Sequence, residues 1–487
     1  MSAQDALWLT MDRPENLMVV DVVTVFGTPI DGDVLRDALA AMVDRHPVFR
    51  RRAERRGRSW WWVDDPEFTI DRHLSVLAVE EPVGMDHVQD IAAAERSRPL
   101  DPSAPLWSAT VLQPVTLEDG SRGAAMIIRF HHAIADGVRL TQVLLGVLGS
   151  TAHGAVPQVA RSGHGGRPDG VVSLARSAAQ EVGHVATTAA SVAGDGVRGA
   201  LRDPSAVVGA AWSAVGWGLS AVRHPDRVLD LLDGLGAGDH RVWNDATTVA
   251  KLSIGGTDRT VWTGRPGTQK AVSWSPPLAL DAVKEVAREH GATLNDILVA
   301  ALAGALRRYL IDHGDPVDEV VWMVPVNLKP FDGDLPKDLG NHFALVMLDM
   351  PLTGATPQQR IADVRQRMSR IKNSDEPALT FGLQRAISAA PRPVATELTD
   401  FFANKAVGVL TNVPGPRQPL SLGGAPVRQV IGFAPCSGDQ PLTATIFTYA
   451  GSVTVGFASD AALVPDPADL VELVLDELRG LGALQLA

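Results

Sequence analysis

The sequence predicts an α/β protein built in two halves. Strand-like apolar runs alternate with helix-period segments through residues 1–150, and the same alternation returns after residue 246. Between them lies an Ala-, Gly-, Val- and Ser-rich stretch with few aromatics. With 487 residues, 45% of them hydrophobic, the chain has enough apolar surface for several large cores. The expected divisions are 1–150, a connector at 151–245, and 246–487.

In the first half, Met18 to Phe26 has strand character, and Asp31 is placed to cap a helix carrying Leu35, Leu39 and Met42 on one face. Arg50, Arg51, Arg52, Arg55, Arg56 and Arg58 followed by Trp60, Trp61 and Trp62 suggest a basic hairpin. It is either a solvated turn or a contact for an anionic lipid surface or phosphate-bearing ligand. A helix is expected over Met85 to Arg96, stopped by Pro99-Leu100-Asp101-Pro102. Ala124 to Phe130 is a buried strand and Val138 to Leu148 a helix.

The connector is punctuated by Pro157, Pro168, Pro204 and Pro225, with helical pieces such as Val172 to Ala190 and a flexible Gly163 to Gly170 entry. Its longest uncharged run, Pro204 to Val222, is diluted by Gly209, Gly216 and Gly218, so it is expected as a buried or interfacial helix rather than a bilayer span. Beyond it come helices at Leu280 to His290 and Asn295 to Leu310, then strands at Val320 to Val326, Phe343 to Met350 and Ala406 to Thr411. Leu442 to Tyr449 and Ser452 to Ser459 make a hairpin across Ala450-Gly451, and Asp466 caps a closing helix. The halves share a pattern but no repeated sequence.

Composition narrows the function classes. A formal charge of −12 without a chain-wide basic excess argues against a nucleic-acid binder. Cys436 stands alone, so no intramolecular disulfide can form, and Met1-Ser2-Ala3-Gln4-Asp5 lacks the basic and apolar regions of a secretory signal. Residence in the cytoplasm is the expectation.

His131-His132-Ala133-Ile134-Ala135-Asp136-Gly137 carries the chemistry, because it puts two imidazoles at a strand-to-helix junction. An imidazole there can take a proton from a weakly acidic nucleophile and return it. Asp136 and Gly137 suit the reversal, and Asp136 can cap the following helix. Paired His plus Asp are also conceivable zinc ligands, but no Cys pair or H-E-x-x-H accompanies them, so no metal is expected. No G-x-S-x-G elbow is present, and Cys436 lies far from the histidines in sequence.

H-H-x-x-x-D-G resembles the signature of the coenzyme-A-dependent acyltransferase superfamily. Further stretches resemble the bacterial wax ester synthase/diacylglycerol acyltransferase family in order along nearly the whole chain: Pro105-Leu106-Trp107, Leu294-Asn295-Asp296-Ile297-Leu298, Pro325-Val326-Asn327-Leu328, Gly340-Asn341 and Thr411-Asn412-Val413-Pro414-Gly415-Pro416. Most also have plain structural readings: Trp107 as packing, Asn295 and Asp296 as first-turn capping, Asn327, Asn341 and Asn412 as turn residues. Val138-Arg139 departs from the small residues the family usually places after Asp-Gly, and Pro435 to Gln440 is polar where the family tends to be glycine-rich.

The resemblance implies two chloramphenicol-acetyltransferase-like α/β sandwich subdomains, joined by the long connector, with an active site in a tunnel between them. It implies O-acyl transfer from acyl-CoA, a substrate rather than a cofactor, to diacylglycerol or a long-chain alcohol, at a membrane or lipid-inclusion surface. His132 would be the general base without an acyl-enzyme, His131 a support, and Asp136 the organiser of the turn, with Gly137 beside it. Pro105, Leu106, Trp107, Asn295 and Asp296 would shape the site. A condensation-type acyltransferase of natural-product assembly and a non-catalytic lipid-binding protein are the alternatives. His131 and Asp136 also satisfy the H-x-x-x-x-D spacing of glycerol-phosphate acyltransferases, which would leave the reaction class unchanged.

Overall fold

The structure, a computed structural model, describes residues 1–57, 59–149, 258–327, 335, 339–341, 343–354, 356–372, 376–389 and 392–486. The connector expected at 151–245, with its Val172 to Ala190 helix and Pro204 to Val222 run, lies outside these residues, as does Arg58.

The first half contributes α1 (Ala3–Met11), β1 (Val19–Phe26), α2 (Gly32–Arg45), β2 (Arg51–Arg56), β3 (Ser59–Asp64), β4 (Leu74–Val83), α3 (Met85–Arg96), β5 (Trp107–Thr116), β6 (Arg122–His131) and α4 (Gly137–Leu148). The second contributes β7 (Lys270–Trp274), β8 (Leu278–Ala279), α5 (Leu280–Glu289), α6 (Leu294–Asp312), β9 (Glu319–Asn327), β10 (Phe343–Pro351), α7 (Pro357–Lys372), α8 (Glu376–Ala389), α9 (Arg392–Ala403), β11 (Gly408–Pro414), β12 (Ser421–Leu422), β13 (Ala425–Phe433), β14 (Leu442–Tyr449), β15 (Ser452–Asp460) and α10 (Pro467–Gly480).

Two mixed sheets result. One has six strands in the order β12-β13-β1-β6-β5-β4; the other has seven, β10-β9-β11-β14-β15-β7 with β8 beside β15. The second half is not confined to its own sheet, because β13 crosses over to pair antiparallel with β1, matching Asp21 to Phe433 and Val25 to Gln429. Local patterning cannot announce such an exchange, since β13 has the same buried-strand character in either sheet. The crossing builds a shared core in which Val23 and Ile127 of the first sheet, Val88 of α3, Val272 and Trp274 of β7, and Ile431 and Phe433 of β13 pack together. Burying such side chains, at roughly 1.5–3 kcal/mol each, fuses the halves.

All eight positions of β1 are buried, including Asp21. Its carboxylate is compensated by Arg129, whose Nε donates to it at 3.0 Å, and by Arg96, which also donates to the Ala434 carbonyl. An unpaired buried charge would be far too costly, so this cluster locks α3, β1, β6 and the 434 segment together.

Some expected elements shift. Thr293, not Asn295 or Asp296, caps α6, and Asp296 completes a reciprocal capping box with it. Asp466 occupies the cap position of α10 without making a side-chain cap bond, and Pro467 follows in the first helical turn. The arginine-tryptophan segment is a two-stranded ribbon, β2 with β3, separate from both sheets.

Candidate active site

β6 delivers the paired histidines. The His131 N–H donates to the Leu106 carbonyl at 3.0 Å and the His132 N–H to the Met18 carbonyl at 2.7 Å, so the residues leading into both neighbouring strands hold the motif at the end of this central strand. Asp136 then caps α4, its carboxylate accepting the Arg139 N–H at 3.0 Å. The Arg139 guanidinium lies 3.8 Å from the same carboxylate and donates to the Gly340 carbonyl at 3.1 Å. Ala135 and Gly340 form a parallel bridge, with Gly340 at φ 65°, a backbone state glycine adopts without strain. The turn is thereby tied to the segment that presents Asn341.

Asn341 fixes the tautomer of His132. Its amide nitrogen donates to the His132 carbonyl at 3.0 Å and to Asp5 at 2.9 Å, so its oxygen is the atom that faces His132 Nδ1, 2.9 Å away. An amide oxygen only accepts, so Nδ1 carries the hydrogen and Nε2 keeps its lone pair. Trp8 stacks on the ring with centroids 4.0 Å apart. Burial drives the His132 pKa down to about 4, against the raising influence of its backbone and Asn341 hydrogen bonds and aided by neighbouring His131. The ring is uncharged at neutral pH and available as a base.

His131 has a different task. Its Nδ1 accepts the Ala133 N–H at 3.0 Å and its Nε2 faces Asp12 at 3.7 Å, so the side chain braces the turn.

His132 lines a cavity enclosing about 1760 Å³ of empty space including its mouth. Its walls come from both halves: Trp8 and Met11 of α1, Val22 of β1, Met323 of β9, Phe343 of β10 and Phe402 of α9 are representative. The lining is chiefly apolar, which suits long hydrocarbon chains. Asp136, Gly137 and Val138 also line it. Among the described residues no three His, Cys, Asp or Glu side chains converge as a metal site.

Of the other residues singled out from sequence, Pro325, Thr411, Asn412 and Val413 line the cavity, whereas Pro105, Leu106, Trp107, Asn295 and Asp296 do not. Trp107 is buried in the first core, its indole donating to the Phe49 carbonyl at 2.7 Å; Pro105 and Leu106 lead into it, and Leu106 supplies the acceptor for His131. Asp296 is occupied in its capping box. Asn295 reaches the cavity indirectly, accepting a 2.6 Å hydrogen bond from Asn412, which lines it. Sequence reasoning missed α1, and read Asn341 as an element of the resemblance or a turn residue without a role beside the histidine. The signal for α1 was Ser2-Ala3-Gln4-Asp5, an S-x-x-D start, followed by the apolar Leu7, Trp8 and Met11.

Comparison with known proteins agrees with this geometry. The model of the wax ester synthase/diacylglycerol acyltransferase catalytic domain matches residues 1–298, and that of the family's C-terminal domain matches residues 339–482. A probable diacylglycerol O-acyltransferase of Mycobacterium tuberculosis is 24% identical over 429 residues, 87% of this chain and 81% of the relative. A putative one from the same organism is 27% identical over 486 residues, 96% of this chain and 86% of the relative. The solved structure of a wax ester synthase/diacylglycerol acyltransferase from Marinobacter aquaeolei superposes with a TM-score of 0.62 at 17% identity, covering 99% of this chain and all of that one. The first condensation domain of the calcium-dependent antibiotic synthetase shares the fold, with a TM-score of 0.55, 16% identity and coverage of 100% and 96%.

Proposed function

The chain belongs to the wax ester synthase/diacylglycerol acyltransferase family, and from that premise we propose that it moves a long-chain acyl group from acyl-CoA to the hydroxyl of diacylglycerol or a long-chain alcohol. The observation that carries this reading is a buried, neutral imidazole with its Nδ1 hydrogen held by Asn341, on the wall of a large apolar cavity.

A thioester is already activated, so the protein needs a base and donors for the oxyanion. His132 Nε2 takes the hydroxyl proton as the acceptor oxygen bonds to the thioester carbon. Collapse of the tetrahedral adduct breaks the C–S bond, and the proton passes from the imidazolium to the departing CoA sulfur. No acyl-enzyme forms. The donors are the N–H groups of Gly137 and Val138, which line the cavity at the first two positions of α4, where a helix offers no internal acceptor. The apolar walls exclude the water that would divert the acyl group to hydrolysis.

Release of CoA, followed with a thiol reagent, tests the direct route. It should require an acceptor, leaving no acyl group on the protein; a stoichiometric, acceptor-independent burst with label on the protein would contradict it. Cys436 is buried and adds little background.

Because burial lowers His132 to about 4, kcat/KM should stay level from pH 8 to about pH 5 and fall only below that, as the imidazole protonates. A fall centred near pH 6.5, the value of a solvated histidine, would contradict a buried His132 with a lowered pKa as the base.

Gly137 has an ordinary backbone and nothing within 4 Å of where a Cβ would sit. Gly137→Ala should therefore fold normally yet lower turnover, since the methyl enters open space beside the oxyanion donors. Unaltered turnover in the purified variant would remove Gly137 from that role.

Apolar acceptors reside in bilayers or lipid inclusions, and no described helix is long and apolar enough to cross a membrane. Docking through the β2–β3 ribbon answers this need. Trp61 is 51% exposed, and among the described arginines here Arg50 and Arg51 pair with Asp64 while Arg52 and Arg56 pair with Glu54. Internal pairing tempers the attraction expected from the arginines alone, roughly 1 kcal/mol each near an anionic surface. Flotation with anionic vesicles should show salt-sensitive binding that weakens in Trp61→Ala and in Arg55→Glu/Arg56→Glu. Equal flotation of all variants would assign docking elsewhere.

A further inference from the structure

We propose that Asp5 is a positioning residue for the base, acting through Asn341 to select which nitrogen of His132 carries the hydrogen. The proposal rests on His132 being the base. The two ends of a side-chain amide are almost equal in size, so sterics alone do not decide whether Asn341 presents its oxygen or its NH₂ group to Nδ1. The choice decides the chemistry: with the NH₂ group presented, Nδ1 becomes the acceptor and the hydrogen moves to Nε2, the nitrogen that must be bare.

What settles it lies on the far side of the amide. There Asn341 Nδ2 meets Asp5 Oδ1 at 2.9 Å and the His132 carbonyl at 3.0 Å, both acceptors. A flipped amide would set its oxygen against a carboxylate and a carbonyl in a buried site, where unmatched polar groups are costly. Asp5 is itself 8% exposed, and its second oxygen accepts the Ser2 hydroxyl at 2.6 Å. Helix capping accounts for that second oxygen, since Ser2 and Asp5 also share the 3.0 Å cap bond that starts α1. It does not account for the oxygen aimed at Asn341. The same helix stacks Trp8 on the ring, and Arg13 just beyond it grips Asp400 with two hydrogen bonds, of 3.0 and 3.3 Å, so Asp5 is presented from a braced element. The titratable and charged groups around the ring are His131 beside it, Asp12 behind His131, and Asp136 with Arg139 at the cavity wall. Among the described residues, Asp5 is the one joined to Nδ1 through a single amide.

The test reads the tautomer by two-bond ¹H–¹⁵N correlation in histidine-labelled protein, with His132→Asn assigning the signal. The full chain should show His132 protonated on Nδ1. Asp5→Ala should shift it toward the Nε2-protonated form and lower kcat at least about tenfold, toward the ~10⁴-fold loss a wrong tautomer can cause, with KM for acyl-CoA unchanged. Asp5→Asn, which keeps an acceptor oxygen, should restore most of both. Asp5→Ala/Asn341→Asp should restore the Nδ1 form, because a carboxylate has no donor end to flip.

Ser2→Ala removes the cap and the bond to the second oxygen of Asp5 but keeps the oxygen that meets Asn341, so it measures what fraying of α1 does. An Nε2-protonated wild type, an Asp5→Ala variant matching Ser2→Ala in tautomer and kcat, or failure of the double variant to restore the Nδ1 form would overturn the proposal. The wild-type spectrum decides even if Asp5→Ala does not fold. Because the tautomer is read without substrate, absence of acyl transfer would sink the functional reading and leave this result separately legible.

Discussion

Replacing His132 with Ala is expected to lower turnover by about 10²–10⁴-fold, the usual contribution of a positioned general base, in a protein that still folds. Folding should survive because the motif is held mainly by backbone bonds, from His131 to Leu106 and from His132 to Met18, which the substitution leaves intact. Some stability is lost, since Asn341 loses a partner and Trp8 a stacked ring, on the order of 1–3 kcal/mol. KM for acyl-CoA should change little, because the imidazole acts on the acceptor hydroxyl. His131→Ala gives the contrast: it removes a brace between Ala133 and Asp12, so its cost falls first on stability. A folded His132→Ala enzyme with near-normal turnover would hand the base to another group.

Asp136→Ala is expected to act the other way round, on stability before chemistry. The carboxylate is 3% exposed, caps α4 and lies beside Arg139, itself 9% exposed. Losing the cap costs about 0.5–2 kcal/mol, and leaving a buried guanidinium without its carboxylate raises the cost toward 3–5 kcal/mol. Because Arg139 also bonds the Gly340 carbonyl, the disturbance reaches Asn341 and through it the tautomer of His132, so activity falls as a consequence. Asp136→Asn retains an acceptor for the Arg139 N–H and should recover part of the thermal midpoint. An Asp136→Ala protein with unchanged melting and no activity would instead put this carboxylate into the reaction itself.

How much of this was legible depends on the range of the interaction. β1, β6 and β14 are buried at nearly every position, so their apolar runs announce them, and the His131-to-Gly137 turn declares its chemistry within seven residues. Arg139 looked like a departure because its purpose, pairing with Asp136 and reaching Gly340, appears only once a segment 201 residues away is in place. Asn341 beside Gly340 has every local mark of a turn, and nothing near it in sequence reveals a histidine 209 residues upstream. α1 is nine residues long, too short for periodicity to stand out, and it matters through tertiary contacts with Asn341 and His132. The crossing of β13 belongs to the same class, a pairing decided by which edge is open.

Acceptor-dependent ester formation decides whether this cavity is an acyltransferase site. Purified protein is incubated with radiolabelled palmitoyl-CoA and, in separate reactions, with a diacylglycerol, a long-chain alcohol or no acceptor, and the lipids are resolved by thin-layer chromatography. Label should appear as triacylglycerol or wax ester only when the matching acceptor is present, and should vanish with His132→Asn. Label confined to palmitoyl-CoA or free fatty acid with every acceptor, or ester formed equally well by His132→Asn, would contradict the role assigned to this site.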